Sequence, residues 1–132
     1  MNELGSIQFD PASFAYENLL GIDSWSSFTP VFGSLTVVGA TSYTGRYRTV
    51  GAKLEFQVQF SAATSIASTA GTDYLTLPVS AAGLSGMATM TNNTTNISVG
   101  VCHIDVSTSR CYLPTQGASG NVFTLGGWYE IA

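Results

Sequence analysis

Charge is what this 132-residue chain has least of. Asp, Glu, Lys and Arg make up 9% of it, against about 25% in ordinary soluble domains. Only four residues are Lys or Arg, and the formal net charge is −4. A phosphate backbone needs a basic footprint, so the composition argues against a nucleic-acid partner. No apolar run approaches the ~20 residues of a membrane span. The stretch "MNELGSIQFD" also lacks the apolar centre of a secretory signal, so neither membrane insertion nor export is written here. There are two cysteines, too few for a disulfide framework. Cys102 and Cys111 read first as small buried thiols, with a bridge across "HIDVSTSRCYL" as the lesser alternative.

The catalytic inventory is equally thin. His103 is the single histidine and shares a strand face with Asp105 two residues on. No G-x-S-x-G elbow accompanies them, and neighbouring strand positions orient an imidazole poorly, so they read as a polar pair. The carboxylates Asp10, Asp23, Glu55, Asp73, Asp105 and Glu130 are scattered. Glycoside hydrolysis needs two of them held together, and nothing in the sequence pairs any two. Cys102, His103 and Cys111 put adjacent ligands on opposite strand faces and lack a fourth. "GLSG" and "GASG" are short turns, not phosphate loops. The reading is a protein with no catalytic residues, cofactor or metal.

What the chain does have is alternation. In "RYRTVGAKLEFQVQF" (46–60), Leu54, Phe56, Val58 and Phe60 point one way and Glu55, Gln57 and Gln59 the other. That is a half-buried strand, and one such face cannot hold alone, so a second sheet has to close over it. Further strand material stands at 27–38, with Pro30 at an edge or bend, and at 42–50. "DYLTLPV", a weak strand within 81–96, "NISVGVCHIDV" and "RCYLP" continue the series. The last strand is "NVFTLGGWYEIA", bulged at Gly126–Gly127. Residues 62–72 and 115–120 read as loops, the former with a weak edge strand as alternative. About eight strands separated by turn signals predict an all-β chain, a two-sheet antiparallel β-sandwich of jelly-roll type.

Residues 1–24 differ. "FDPASFAYENLLG" predicts a short helix behind a free arm, with Asp10 as cap, Pro11 in the first turn and Gly21 at the stop. Phe14, Leu19 and Leu20 would dock it on its own domain or on a partner. The domain proper is then 25–132. The aromatics Trp25, Tyr43, Tyr47, Tyr74, Tyr112, Trp128 and Tyr129 read mainly as packing groups, with stacking on sugar rings as the alternative. Loops at 62–72, 82–96 and 115–120 are natural recognition segments. The glycan-contact candidates are Trp25, Tyr43, Tyr74, Asn92 and Asn93.

The order of features from Asp23 to Ile131 resembles a known family. "DSWSSFTPVF", "YTGRYRTVG" (43–51) with its alternating strand, "GTDYLTLP" (71–78) and "GGWYEI" (126–131) are similar to elements of bacteriophage virion β-sandwich domains. Such domains are common at tail-fibre C-terminal ends. The resemblance implies a homotrimer on the virion surface, without shared catalytic residues, that binds a host receptor such as a cell-surface glycan. The alternative within the same context is a capsid decoration, cement or head-fibre protein anchored through its N-terminal segment to other virion proteins. In a trimer, the amide-rich face of Glu55, Gln57 and Gln59 would form a partly buried subunit interface, because uncharged polar groups pair across symmetry without opposing like charges.

Overall fold

The computed structural model describes residues 23–131. The expected N-terminal helix and arm, with Phe14, Leu19 and Leu20, lie outside the described residues. Within them the regular structure is strand throughout, in antiparallel curled sheets.

The alternating segment forms the centre. Thr41–Val50 (β4) and Lys53–Ala62 (β5) pair along their whole length, from Thr41 opposite Ala62 to Val50 opposite Lys53. The two-residue turn starts at Gly51 with φ 63°, the left-handed conformation that a type II′ hairpin asks of its first turn residue. Leu54, Phe56, Val58, Phe60 and Ala62 are all buried, while Lys53, Gln57 and Gln59 are exposed and Glu55 half-buried.

Three short strands precede this hairpin: Ser26–Phe28 (β1), Phe32–Gly33 (β2) and Thr36–Val38 (β3). Seven follow it: Ser65–Ser68 (β6), Tyr74–Thr76 (β7), Gly86–Asn92 (β8), Ile97–Asp105 (β9), Arg110–Tyr112 (β10), Gln116–Ser119 (β11) and Phe123–Glu130 (β12). Nine join one sheet in the order β1-β4-β5-β12-β8-β9-β10-β7-β2, and β11-β6-β3 form a smaller one. β9 is shared along its length, with Ile97–Cys102 pairing β8 and His103–Asp105 pairing β10. The large sheet curls until its two ends meet. Phe32 on β2 contacts Phe60 on β5 (4.9 Å between centroids) and Tyr43 on β4 (5.1 Å).

Inside the curl, the β5 row meets Phe123, Leu125 and Tyr129 of β12, Ala88 and Met90 of β8, and Leu75, Cys102, Ile104 and Cys111 from the far strands. Tyr129 ties the two sides by hydrogen bonds as well as packing. Its hydroxyl donates to the Val79 carbonyl (2.7 Å) and accepts from the Val79 N–H (3.1 Å). Cys102 and Cys111 are both buried, free thiols. The hydrogen bond that the Cys111 thiol donates to Cys102, together with burial, pushes it far above its ordinary range.

Four expectations need correction. Twelve strands are present among the described residues instead of about eight. The 27–38 segment breaks into β1, β2 and β3, because it crosses from one end of the large sheet to the other and then to the small sheet. The expected loop at 115–120 contains β11, whose backbone pairs with β6 despite its small, polar side chains. Finally, Gly126–Gly127 carry no bulge, since β12 keeps continuous register with both neighbours. Gly127 is needed for close approach: a Cβ there would sit 2.0 Å from the Met87 carbonyl oxygen and 2.6 Å from the Ala88 Cβ. The irregular pairing falls instead between β8 and β9, at Met90/Thr91.

Candidate functional site

Strand parity and register place the uncharged face of β5 at the middle of an outward-facing grid. Reading from β4 through β5 and β12 to β8, one rung is Thr44–Gln59–Thr124–Thr91. The next is Arg46–Gln57–Gly126–Thr89, and the third is Arg48–Glu55–Trp128–Met87. Gly126 leaves an empty place in the grid. A Cβ added there would meet only the Phe56 carbonyl oxygen at 3.4 Å and the Gln57 Cγ at 3.7 Å, so the gap exists because a side chain is missing.

Around that gap lies a groove of about 480 Å³. Trp25 and Trp128 both line it, together with Glu55, Gln57, Thr89, Thr91 and Thr124. Trp25 is held by two guanidinium groups, Arg46 at 4.4 Å and Arg48 at 4.6 Å from its ring centroid. Lys53 lies 4.4 Å from the centroid of Trp128. Three of the four basic residues therefore brace the tryptophans. Glu55 accepts a 2.9 Å hydrogen bond from Arg48 Nε in a partly exposed ion pair, which is worth at most about 1 kcal/mol. Arg46 Nε and Nη2 both donate to Gln57 Oε1, at 2.9 and 2.7 Å. A second depression of about 350 Å³ adjoins the first and is lined by Ser27, Thr44, Arg46 and Gln59. Gln57 and Thr124 line both and form the saddle between them.

No protein-family model, curated protein or solved structure matches this chain. The site's chemistry therefore has to be read from its own groups. Among the described residues Glu55 is the one carboxylate lining the groove, and its partner is Arg48. The remaining groups offer two indole rings, amides and hydroxyls, which suits stacking and hydrogen bonding to a polar ring.

The residues singled out from sequence are dispersed. Trp25 lines the groove. Asn93 touches its edge by donating from Nδ2 to Thr124 Oγ1 at 2.5 Å. Asn92 is buried, and its Oδ1 accepts from the N–H groups of Thr94 and Thr95, closing the β8–β9 turn. Tyr43 turns inward against Phe32, and burial pushes its hydroxyl pKa up. Tyr74 packs against Tyr112 (5.6 Å) beneath the Arg110 guanidinium (4.0 Å). Glu55, Gln57 and Gln59, expected at a subunit interface, stand on the groove face, the first two bonded to arginines of their own chain. His103 and Asp105 do not bond each other. His103 lies beside Tyr112 (6.3 Å), and the Asp105 carboxylate accepts from Ser107 and Thr108.

Trp128 was weighed from sequence for stacking on a sugar ring but not among the named glycan contacts, and Gly126 was not considered for ligand contact. Their alternation with the buried Phe123, Leu125 and Tyr129 was a usable signal for an outward position. Their meeting with Glu55 and Gln57 depends on the β5–β12 register.

Proposed function

We propose that this is a non-enzymatic bacteriophage virion surface protein, tail-fibre-like, that binds a host cell-surface glycan in the Trp25–Trp128 groove. One observation carries the reading: two tryptophans share one groove with the Gln57 amide and three threonine hydroxyls over a floor opened by Gly126. A sugar presents an apolar ring face with hydroxyls at its rim, and such a groove meets both parts. The curled sheet, with β2 returning over β5, fits a jelly-roll-like sandwich, and the resemblance adds a homotrimer displayed on the particle. The test is titration of the full chain against oligosaccharides released from host-cell surfaces. Trp128→Ala should weaken binding at least about tenfold while leaving the melting temperature nearly unchanged. An unaltered affinity would refute the site.

A second reading, a capsid decoration or cement protein, is favoured by the outer face of β8 and β9. Met87 (58%) and Val101 (71%) stand exposed there, and Ile97 (61%) is exposed at the start of β9. Apolar groups so placed suit contact with other virion proteins or other copies. Under this reading Val101→Asp abolishes particle binding, whereas under the first it leaves adsorption to host cells intact.

A further inference from the structure

We propose that the groove selects saccharides bearing a carbonyl oxygen, as an acetamido or carboxylate substituent, and that Gln57 and Thr124 are the paired donors that recognise it. This rests on the saccharide reading above. The polarity of two side chains decides it.

A glutamine amide offers an acceptor at one end and two donor hydrogens at the other. Arg46 donates twice to Gln57 Oε1, and a guanidinium cannot accept, so the amide is locked with its oxygen on the arginine. What Gln57 offers a ligand is its NH₂ group. Thr124 is constrained on one side only. Asn93 Nδ2 donates to Thr124 Oγ1, so the threonine oxygen acts as acceptor there and its own hydrogen is left to give. That hydrogen has no acceptor among the described residues. Both residues stand on the saddle, on adjacent strands and diagonal to one another, since Thr124 faces Gln59 and Gly126 faces Gln57. Diagonal positions are about 7–8 Å apart at Cα, within reach of a common ligand atom.

Two convergent donors, with both Gln57 Oε1 lone pairs taken by Arg46, favour a ligand atom that only accepts. A carbonyl or carboxylate oxygen takes both bonds on its two lone pairs. A sugar hydroxyl in the same place could accept from Gln57 and donate to the lone pair that Thr124 Oγ1 keeps, but the Thr124 hydrogen would then lack its acceptor. An unmade bond at a desolvated site is costly, so the hydroxyl is disfavoured. The two depressions together cross from β8 to β1, about 19 Å at ordinary strand spacing. The substituted sugar therefore sits within a chain rather than at its end.

The experiment is an array of matched tetrasaccharides in gluco, galacto and manno configurations, each as plain hexose, N-acetylated and uronate forms, bound by the full chain. The N-acetylated or uronate member of a matched set should bind about tenfold tighter than the plain one. The two sources separate by salt: uronate binding near Arg46, Arg48 and Lys53 weakens as ionic strength rises, and acetamido binding does not. Gln57→Glu keeps a partner for Arg46 but replaces the donor with an acceptor, and it should erase the preference. Thr124→Val should reduce it. Equal affinity for plain and substituted members, or a preference unchanged in Gln57→Glu, overturns the donor assignment. If Trp128→Ala still weakens that equal binding, the saccharide reading stands. Binding to no member overturns both.

Discussion

Phe32 on β2 and Phe60 on β5 stand with ring centroids 4.9 Å apart, although their strands are ninth and third in the order of the large sheet. The contact closes the curl. Phe60 also stacks on Phe123 (5.6 Å) and is 1% exposed, so it joins the returning edge to the middle of the core. Phe60→Ala should cost about 3–5 kcal/mol, and the half-buried Phe32→Ala less. In a double-mutant cycle the two should couple by about 0.5–1.5 kcal/mol. Urea unfolding of the four proteins measures this, and strict additivity would mean that the edge is held elsewhere.

Tyr129 gives an alkaline prediction. It is fully buried, and burial pushes its hydroxyl up to about 12 despite the opposing hydrogen bond with Val79. An unfolded tyrosine ionises near pH ~10. Stability linked to a raised folded pKa is complete below the unfolded value and is lost as pH climbs through the folded one. Thermal melts should therefore fall steeply between pH 10 and about 12. Tyr129→Phe should be less stable by about 1–3 kcal/mol at neutral pH, because Val79 loses both partners. Its alkaline limb should be shallower, with a residue from Tyr43, which is shifted in the same direction.

Glu130 sets the opposite limb. Its Oε1 accepts from the Leu84 N–H at 2.7 Å and its Oε2 from the Ser85 hydroxyl, which hold its carboxyl below the ordinary 4.5. Asp105 is lowered by the hydroxyls of Ser107 and Thr108. For a depressed acid the contribution is present above the unfolded pKa and disappears as pH falls through the folded one. Melting temperatures should decline as pH drops below about 4.5, and Glu130→Gln should flatten that decline. An acid limb identical in the variant would show that the 82–85 segment is not held by this carboxylate.

Gly126 separates binding from folding. Its vacant Cβ position has only ordinary contacts, so Gly126→Ala should fold normally and gain up to about 1 kcal/mol from the lost flexibility of the unfolded chain. Gly126→Leu should fill the groove and abolish saccharide binding with its circular-dichroism spectrum unchanged. Undiminished binding in the leucine variant would move the ligand away from this face.

Parts of the fold were legible because they depend on local order. The buried row from Leu54 to Phe60 is a period-two pattern within one strand, and Gly51 marks its turn. β3 and β11 were poorly legible, since segments such as "TVV" and "QGAS" become strands only where β6 supplies partners. Trp25 and Trp128 were both recognisable as stacking groups from their type, but Gly126 gained meaning only beside Glu55 and Gln57. Asn92 showed the reverse: its sequence context suggested a surface amide, and its backbone turn drew it inside.

The sequence by itself determined that the chain is all-β in its described part and which face of β5 is apolar, because alternation and side-chain polarity are properties of consecutive residues. It also determined that the exterior carries amides and hydroxyls in place of charges. Only the tertiary structure decided that β5 lies between β4 and β12, that Phe32 returns over Phe60, and that Gln57 and Thr124 share a saddle. Register between strands far apart in the chain is selected by the packing of the whole core, and no single segment contains that information.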